Sequence, residues 1–359
     1  MKSTSAIGAS ALRTTPERRR ASAYFRTPQG WLFLLLAIAV LATLSLGDRS
    51  IGVLDQDNYV AYFKVTTWDW VVQFYQDSAS LSSFVISLVT EELGWRVWVV
   101  LVNSLGMTPE AGVRLTVVVL NLLAMYSLAS LRRPLIGLIL WIVMPTALAT
   151  VGLFQIRQGF AFAITMLFAV RLNRPILGAL IASAVHTTFA VPALLLIAVR
   201  ICNRSLWIAL AGVSAMALVL ASSASFLFQN FGGRRLEEYA GYQDDFTIRL
   251  IALLVGYMFA SVAVLYSSER TALTQRDESI RQMCIMHIGL VIYLVAAFLV
   301  FPFGKGRVWY CVPLLVPFFV PEIKFRNAIV VWLTVILLSV VTADVVKSYY
   351  EEVYTYFIG

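Results

Sequence analysis

The sequence predicts an all-α fold, a polytopic membrane bundle of about 9–11 transmembrane helices. Three observations carry that reading. Charged residues make up 13% of the 359 residues, about half the share of a soluble domain. Mean hydropathy is +0.80. Apolar runs of about 20 residues recur, each long enough to cross ~30 Å of hydrocarbon as a helix. The runs are continuous rather than alternating, which argues against a β-barrel. No polar segment is long enough to fold alone. Residues 31–344 therefore read as one membrane domain between a basic cytoplasmic tail, residues 1–30, and a C-terminal tail, residues 345–359, expected outside.

Basic flanks orient the elements, because cytoplasmic loops concentrate Lys and Arg. Arg13, Arg18, Arg19, Arg20 and Arg26 precede the run Trp31–Gly47, which is expected to be an uncleaved first span leading outward. Asp48–Asp77 is polar and aromatic and cannot span. Residues 58–107 read as amphipathic helices on or in the outer leaflet, interrupted by Glu91, Glu92 and Arg96. Thr108-Pro109 is a helix start. It opens a span over Ala111–Leu131 that ends inside at Arg132-Arg133. Pro134–Leu153 returns outward, and Gln158–Val170 comes back to Arg171 and Arg174. The segment 175–199 has basic pairs at both ends, Arg171/Arg174 and Arg200/Arg204. A single span would strand Arg200 and Arg204 outside, so a re-entrant helical hairpin with His186-Thr187-Thr188 at its tip is the favoured reading. Ser205–Phe226, Phe246–Tyr266, Met283–Phe303, Val308–Ile323 and Asn327–Ala343 complete the expected spans. On this topology the inside segments hold roughly 17 of the 28 basic residues, in the direction the orientation rule demands. The net charge of +8 therefore reports orientation and not nucleic-acid binding.

Several arginines are left on the outer side, where the rule does not want them. Arg157, between two apolar runs, is either a snorkelling residue or an anion site, since a guanidinium fork matches phosphate. Arg307, with Lys305 beside it, sits at another outer helix start. Arg234 and Arg235 follow a Gly pair in an outer loop, where Glu237 and Glu238 offer them partners. His186 at the hairpin tip suits a base or a donor, or packs as a hydrogen-bonded core residue; His287 reads as structural. Glu91 and Glu92 cap a helix, pair with Arg96, or act as a general base. Asp55, Asp57, Tyr59, Tyr62, Trp68 and Trp70 give the first loop acids and aromatics together, a composition that suits carbohydrate or an interfacial belt. Cys202, Cys284 and Cys311 show no metal spacing, and no metal or cofactor is expected.

Short segments of the chain, in order over residues 48–320, resemble the EpsG/Wzy-type polysaccharide polymerases. Asp57-Asn-Tyr59-Val-Ala-Tyr62 is similar to their Asp-x-Tyr-x-x-Tyr opening. Glu92-Leu-Gly-Trp95 resembles their Glu-Pro-Gly-Phe, with Leu93 in place of the proline. Gln155-Ile-Arg157-Gln158-Gly-Phe-Ala161 is similar to Asn-x-x-Arg-Gln-x-x-Ala. Ala184-Val-His186-Thr-Thr188 resembles His-x-Ser, and Arg307 through Tyr310 a late Arg-x-x-x-Tyr. The resemblance implies a glycosyltransferase of the bacterial inner membrane. It would join oligosaccharide repeat units carried on undecaprenyl diphosphate into O-antigen or exopolysaccharide, at the extracytoplasmic face and without a metal. Membrane lipids surround it, a separate regulator protein is the expected agent of chain-length control, and nucleic acid is not a partner. On this reading His186, Glu92 and Arg157 are catalytic. Arg157, Arg307, Arg234, Arg235 and Lys305 hold diphosphate, and Asp57, Tyr59, Tyr62, Gln158 and Tyr310 hold sugar.

The rival readings are a flippase or transporter of lipid-linked oligosaccharide, an O-antigen ligase, a membrane acyltransferase and a scaffold. A transporter needs polar groups along a path to both faces, whereas the charged candidates lie on one side. The ligase's very large outer loop and the acyltransferase's early His-acid or Arg-x-x-Arg signals are missing.

Overall fold

The computed structural model describes residues 23–46, 56–76, 88–231, 247–268, 274–300 and 305–350, and among these every regular element is helical. In chain order the helices are α1 (Pro28–Leu46), α2 (Gln56–Val65), α3 (Trp68–Gln76), α4 (Leu93–Asn103), α5 (Pro109–Leu128) and α6 (Pro134–Val143), then α7 (Ile156–Met166), α8 (Pro175–Val185), α9 (Ala190–Ile201), α10 (Leu206–Phe231) and α11 (Ile248–Ser267), and last α12 (Gln275–Val300), α13 (Lys305–Trp309), α14 (Cys311–Leu314), α15 (Val316–Phe319) and α16 (Ala328–Tyr350). Six of them, α1, α5, α10, α11, α12 and α16, are long and apolar enough to cross a membrane. The chain is a polytopic membrane bundle, with the short α2, α3 and α4 where amphipathic helices are expected. At the start of α5, Thr108 accepts a hydrogen bond from the Ala111 amide, and Pro109 takes the first helical position.

Two expected spans are not straight helices. Pro134–Leu153 breaks at Met144, and α6 meets the π-helical segment Pro145–Phe154 at a bend of 69°. Pro145 has no N–H and forces the residue before it out of the helical region; Met144 is extended, with φ −72 and ψ 123. Val308–Ile323 is apolar because it is buried in protein, not because it faces lipid. Every residue from Cys311 to Ile323 is buried, and Pro313, Pro317 and Pro321 break the segment into α14, α15 and a 3₁₀ turn. Hydropathy alone does not distinguish the two environments.

The 175–199 segment is a hairpin. α8 and α9 have 11 and 12 residues, about 16–18 Å each at 1.5 Å per residue, half of a ~30 Å hydrocarbon core. Arg174, before α8, and Arg200, in the last turn of α9, line the same cavity, so the chain returns to the level it left. His186 breaks the hairpin at its tip, with an extended backbone at φ −148 and ψ 121.

The same level collects the other basic flanks. The Arg132 amide donates to Glu322 Oε1 at 2.7 Å, and Arg276 pairs with the same carboxylate. An Arg133 guanidinium N–H donates to the Ile323 carbonyl at 3.1 Å. Asn203 donates to Glu278 at 2.8 Å. From here α12, 26 residues or about 39 Å long, carries the chain to α13 at the opposite end, where Arg307 lies. His287, fully buried on α12, donates from Nε2 to the Val312 carbonyl at 3.1 Å and meets Ser261 at 2.6 Å, the structural role expected of it.

Candidate active site

At the end of the bundle away from Arg174 lies a cavity of about 670 Å³. Its walls come from α2 and α3 (Asn58, Tyr59, Tyr62, Trp70), α4 (Arg96), the start of α7 (Gln155, Arg157), the hairpin tip (His186) and α13 (Arg307). Three guanidiniums therefore face one space from three separate elements, and no carboxylate is among the described lining residues.

Arg157 is held from behind. Its Nη1 donates to Glu92 Oε2 at 2.5 Å, and both side chains are largely buried. Glu92 precedes α4 with a left-handed backbone, φ 55 and ψ 51. Such a conformation is uncommon for a residue with a Cβ, and it costs energy that the surroundings must supply. Here it turns the carboxylate toward the hairpin tip, where Thr187 donates from its hydroxyl at 3.1 Å to Glu92 Oε1 and His186 Nδ1 lies 3.9 Å from the same oxygen. Gly94 permits this approach: a Cβ there would lie 3.0–3.1 Å from Val185 Cγ2 and from the Ala184 carbonyl group.

The hairpin break also sets the imidazole. The Thr188 N–H points at His186 Nδ1 at 3.3 Å, and the Thr188 hydroxyl lies 2.8 Å from it. A backbone N–H only donates, so Nδ1 accepts and the neutral ring carries its proton on Nε2.

The two adjacent acids have separate tasks. Glu91 pairs with Arg96 at 3.0 Å and accepts from its Nε through the backbone carbonyl at 2.8 Å; Glu92 goes to Arg157. Arg96 in turn stacks its guanidinium 4.0 Å from the Trp70 ring centre. Arg157 lies 5.6 and 5.2 Å from the ring centres of Tyr59 and Tyr62, distances at which a cation is attracted to an aromatic face. Tyr59 is fixed by edge contact with the fully buried Trp95.

Of the residues singled out in the sequence, Tyr59, Tyr62, Arg157, His186 and Arg307 meet on the cavity wall, with Glu92 directly behind Arg157. Asp57 is exposed on α2 and does not line the cavity; its neighbour Asn58 does. Gln158 is not on the cavity wall. It is fully buried, and its amide donates to the Arg307 carbonyl at 2.6 Å, which ties α13 to α7. Tyr310 is half-buried and off the cavity wall. Arg234, Arg235 and the Lys305 side chain lie outside the described residues. Among the described residues no three His, Cys, Asp or Glu side chains come together as metal ligands would.

Arg96 and Thr187 are the additions, and Trp70, read in sequence only as part of an aromatic first loop, lines the cavity. Arg96 stands four residues after Glu92, one helical turn away. Its signal was visible, but pairing with a neighbouring acid accounts for it equally well in sequence.

The sequence model of the EpsG family matches residues 31–358. No curated protein and no solved structure matches the chain.

Proposed function

The chain belongs to the EpsG family, and from that premise we propose that it joins lipid-diphosphate-linked oligosaccharide repeat units into a polysaccharide. Family membership supports a polysaccharide polymerase-type function. The cavity supports the finer reading of donor and face. One observation carries it: three arginines on separate elements line a single space, and among the described residues on its wall there is no carboxylate. That arrangement suits a polyanion, and guanidiniums bind phosphate oxygens in pairs. The aromatic rings of Tyr59, Tyr62 and Trp70 beside the arginines suit sugar faces.

In this reading the donor's diphosphate lies against Arg157 and Arg307, with its sugar toward α2. The bond from the anomeric carbon to the diphosphate oxygen breaks, and the oxygen of an acceptor hydroxyl bonds to that carbon. Charge growing on the departing lipid diphosphate is met by guanidiniums already in place. His186 donates from Nε2 to a phosphate oxygen rather than acting as the base. Glu92 lies behind Arg157 and off the cavity wall, so it takes the hydroxyl proton only once the diphosphate has drawn Arg157 aside and opened a path to its carboxylate. Before substrate arrives its charge is committed to Arg157; a diphosphate that draws Arg157 away leaves a buried carboxylate with a higher affinity for a proton. The basic flanks gather at the far end of the bundle, which under the orientation rule supports an extracytoplasmic cavity in the inner membrane and a cytoplasmic N-terminus.

The test is a purified assay with undecaprenyl-diphosphate-linked repeat units, read as a polymer ladder. The intact protein should extend the ladder and Arg157→Ala should leave single units. A normal ladder from Arg157→Ala overturns the proposal.

A further inference from the structure

A second cavity, of about 870 Å³, opens at the opposite end of the bundle, between the start of α8, the end of α9 and the start of α12. One wall runs from Arg174 through Ile176 and Leu177 to Leu180. That is six helical steps, or about 9 Å along the helix, going from a cation into an apolar stripe whose leucines are 40% and 45% exposed. The facing wall on α12 is polar, with Gln275, Glu278, Ser279 and Gln282. Arg200 closes the same end as Arg174.

The charges here are unbalanced in one direction. Arg174 sits at the N-cap of α8, where the helix's own partial charge is positive and a cation is disfavoured. The groove also meets the N-terminus of the 26-residue α12. The acids nearby are committed: Asp277 to Thr274 at 3.0 Å, and Glu278 to Asn203 at 2.8 Å, Gln282 at 3.2 Å and Arg281 at 3.3 Å. Among the described residues neither Arg174 nor Arg200 has a side-chain hydrogen bond or an ion pair. Asn173, on the groove wall with a left-handed φ of 56, keeps a buried side-chain oxygen that no donor among the described residues meets.

From this juxtaposition we infer that the groove is a binding site for an anionic glycerophospholipid. The phosphate lies between Arg174 and Arg200, the headgroup hydroxyls meet the amide-rich α12 wall and the Asn173 oxygen, and an acyl chain lies along Leu177 and Leu180. A soluble phosphate would use only the cationic end; the apolar stripe continuing from it selects a lipid. The site is separate from the polymerase cavity by the length of α8, and it stands whether or not that cavity makes polymer.

The test measures lipid retained on the purified full-length protein after exchange into phosphatidylglycerol or phosphatidylcholine mixed micelles. Inorganic phosphate serves as the soluble probe. Each arginine near an anionic headgroup is worth about 1 kcal/mol, so the Arg174→Gln/Arg200→Gln double variant should lose roughly thirty-fold in phosphatidylglycerol affinity. Arg204→Gln, at the same end but off the groove wall, should lose little. Both variants should melt with the wild type in phosphatidylcholine, which separates lost binding from lost folding. Equal retention by the double variant and the wild type overturns the inference. So does displacement of phosphatidylglycerol by millimolar inorganic phosphate, which would make the site one for free anions.

Discussion

Each end of the bundle buries one glutamate among arginines, and the two ends use it differently. Glu322 faces Arg276 and Arg132, and also accepts the Arg132 backbone amide. It joins three segments far apart in sequence and lines neither cavity. Glu92 faces the guanidinium of Arg157, which lies on a cavity wall with two more arginines. A buried carboxylate saturated from within the protein is a clamp. A carboxylate whose partner also faces open space can exchange that partner for a ligand. Breaking either pair leaves an uncompensated charge, at a cost of roughly 3–5 kcal/mol, so stability alone does not separate the two roles. Charge-retaining and shape-retaining substitutions do.

The largest separation is expected from lysine replacements. Arg157→Lys keeps the charge but loses the planar fork, and should lower polymer formation by roughly 10²–10³-fold. Arg276→Lys should leave polymer per folded molecule within about twofold, because its partner Glu322 has other donors. A normal ladder from Arg157→Lys would place diphosphate recognition elsewhere. Next come the carboxylates. Glu92→Gln retains hydrogen bonding without charge or basicity and should cost about 10²-fold in rate with the fold intact. Glu322→Gln should lower the melting temperature by an amount comparable to Glu92→Gln, but with the specific activity of the folded molecules kept. Identical behaviour of the two variants would erase the distinction drawn between the ends.

How much of this was legible in the sequence follows the physics of each signal. Basic flanks are a one-dimensional code, so the hairpin could be read from Arg171, Arg174, Arg200 and Arg204 alone. Arg157, His186 and Arg307 stood out because a charged or titratable group among apolar residues is costly. Burial, by contrast, needs three dimensions. The run 308–323 reads the same whether lipid or protein surrounds it, and only the spacing of Pro313, Pro317 and Pro321 hinted at a broken path. Gln158 was expected on the sugar, yet it faces the Arg307 carbonyl, because one helical position decides which way a side chain points. Composition left Glu91 and Glu92 alike, and only the family resemblance singled out Glu92. The left-handed turn at Glu92 shows how the two side chains reach different arginines.

Close packing offers a milder contrast. A Cβ at Gly94 would press the hairpin tip through Val185 and Ala184 at 3.0–3.1 Å. Gly94→Ala should shift Glu92 relative to Thr187 and lower polymer formation by about threefold to tenfold, with less than ~1 kcal/mol lost in stability. At the other end a Cβ at Gly137 would meet the Pro317 carbonyl oxygen at 2.8 Å. Gly137→Ala should cost about 1–3 kcal/mol in stability while the folded fraction works normally. Circular-dichroism melts alongside ladder assays read both quantities.

The smallest difference concerns the stacked cations. Arg96 lies 4.0 Å from the Trp70 ring centre beside the candidate site, and Arg133 lies 5.1 Å from that of Phe325 at the far end. A half-exposed cation–aromatic contact is worth about 0.5–1 kcal/mol, which corresponds to roughly twofold to fivefold in an equilibrium. Trp70→Leu should therefore raise the KM for the lipid-linked donor by about that factor and leave kcat unchanged, because the ring orients Arg96 before chemistry and touches no reacting atom. Phe325→Leu should change neither constant. A fall in kcat with Trp70→Leu would mean that Arg96 tightens its grip as the diphosphate departs. It would then belong with Arg157 among the groups that stabilise the leaving charge.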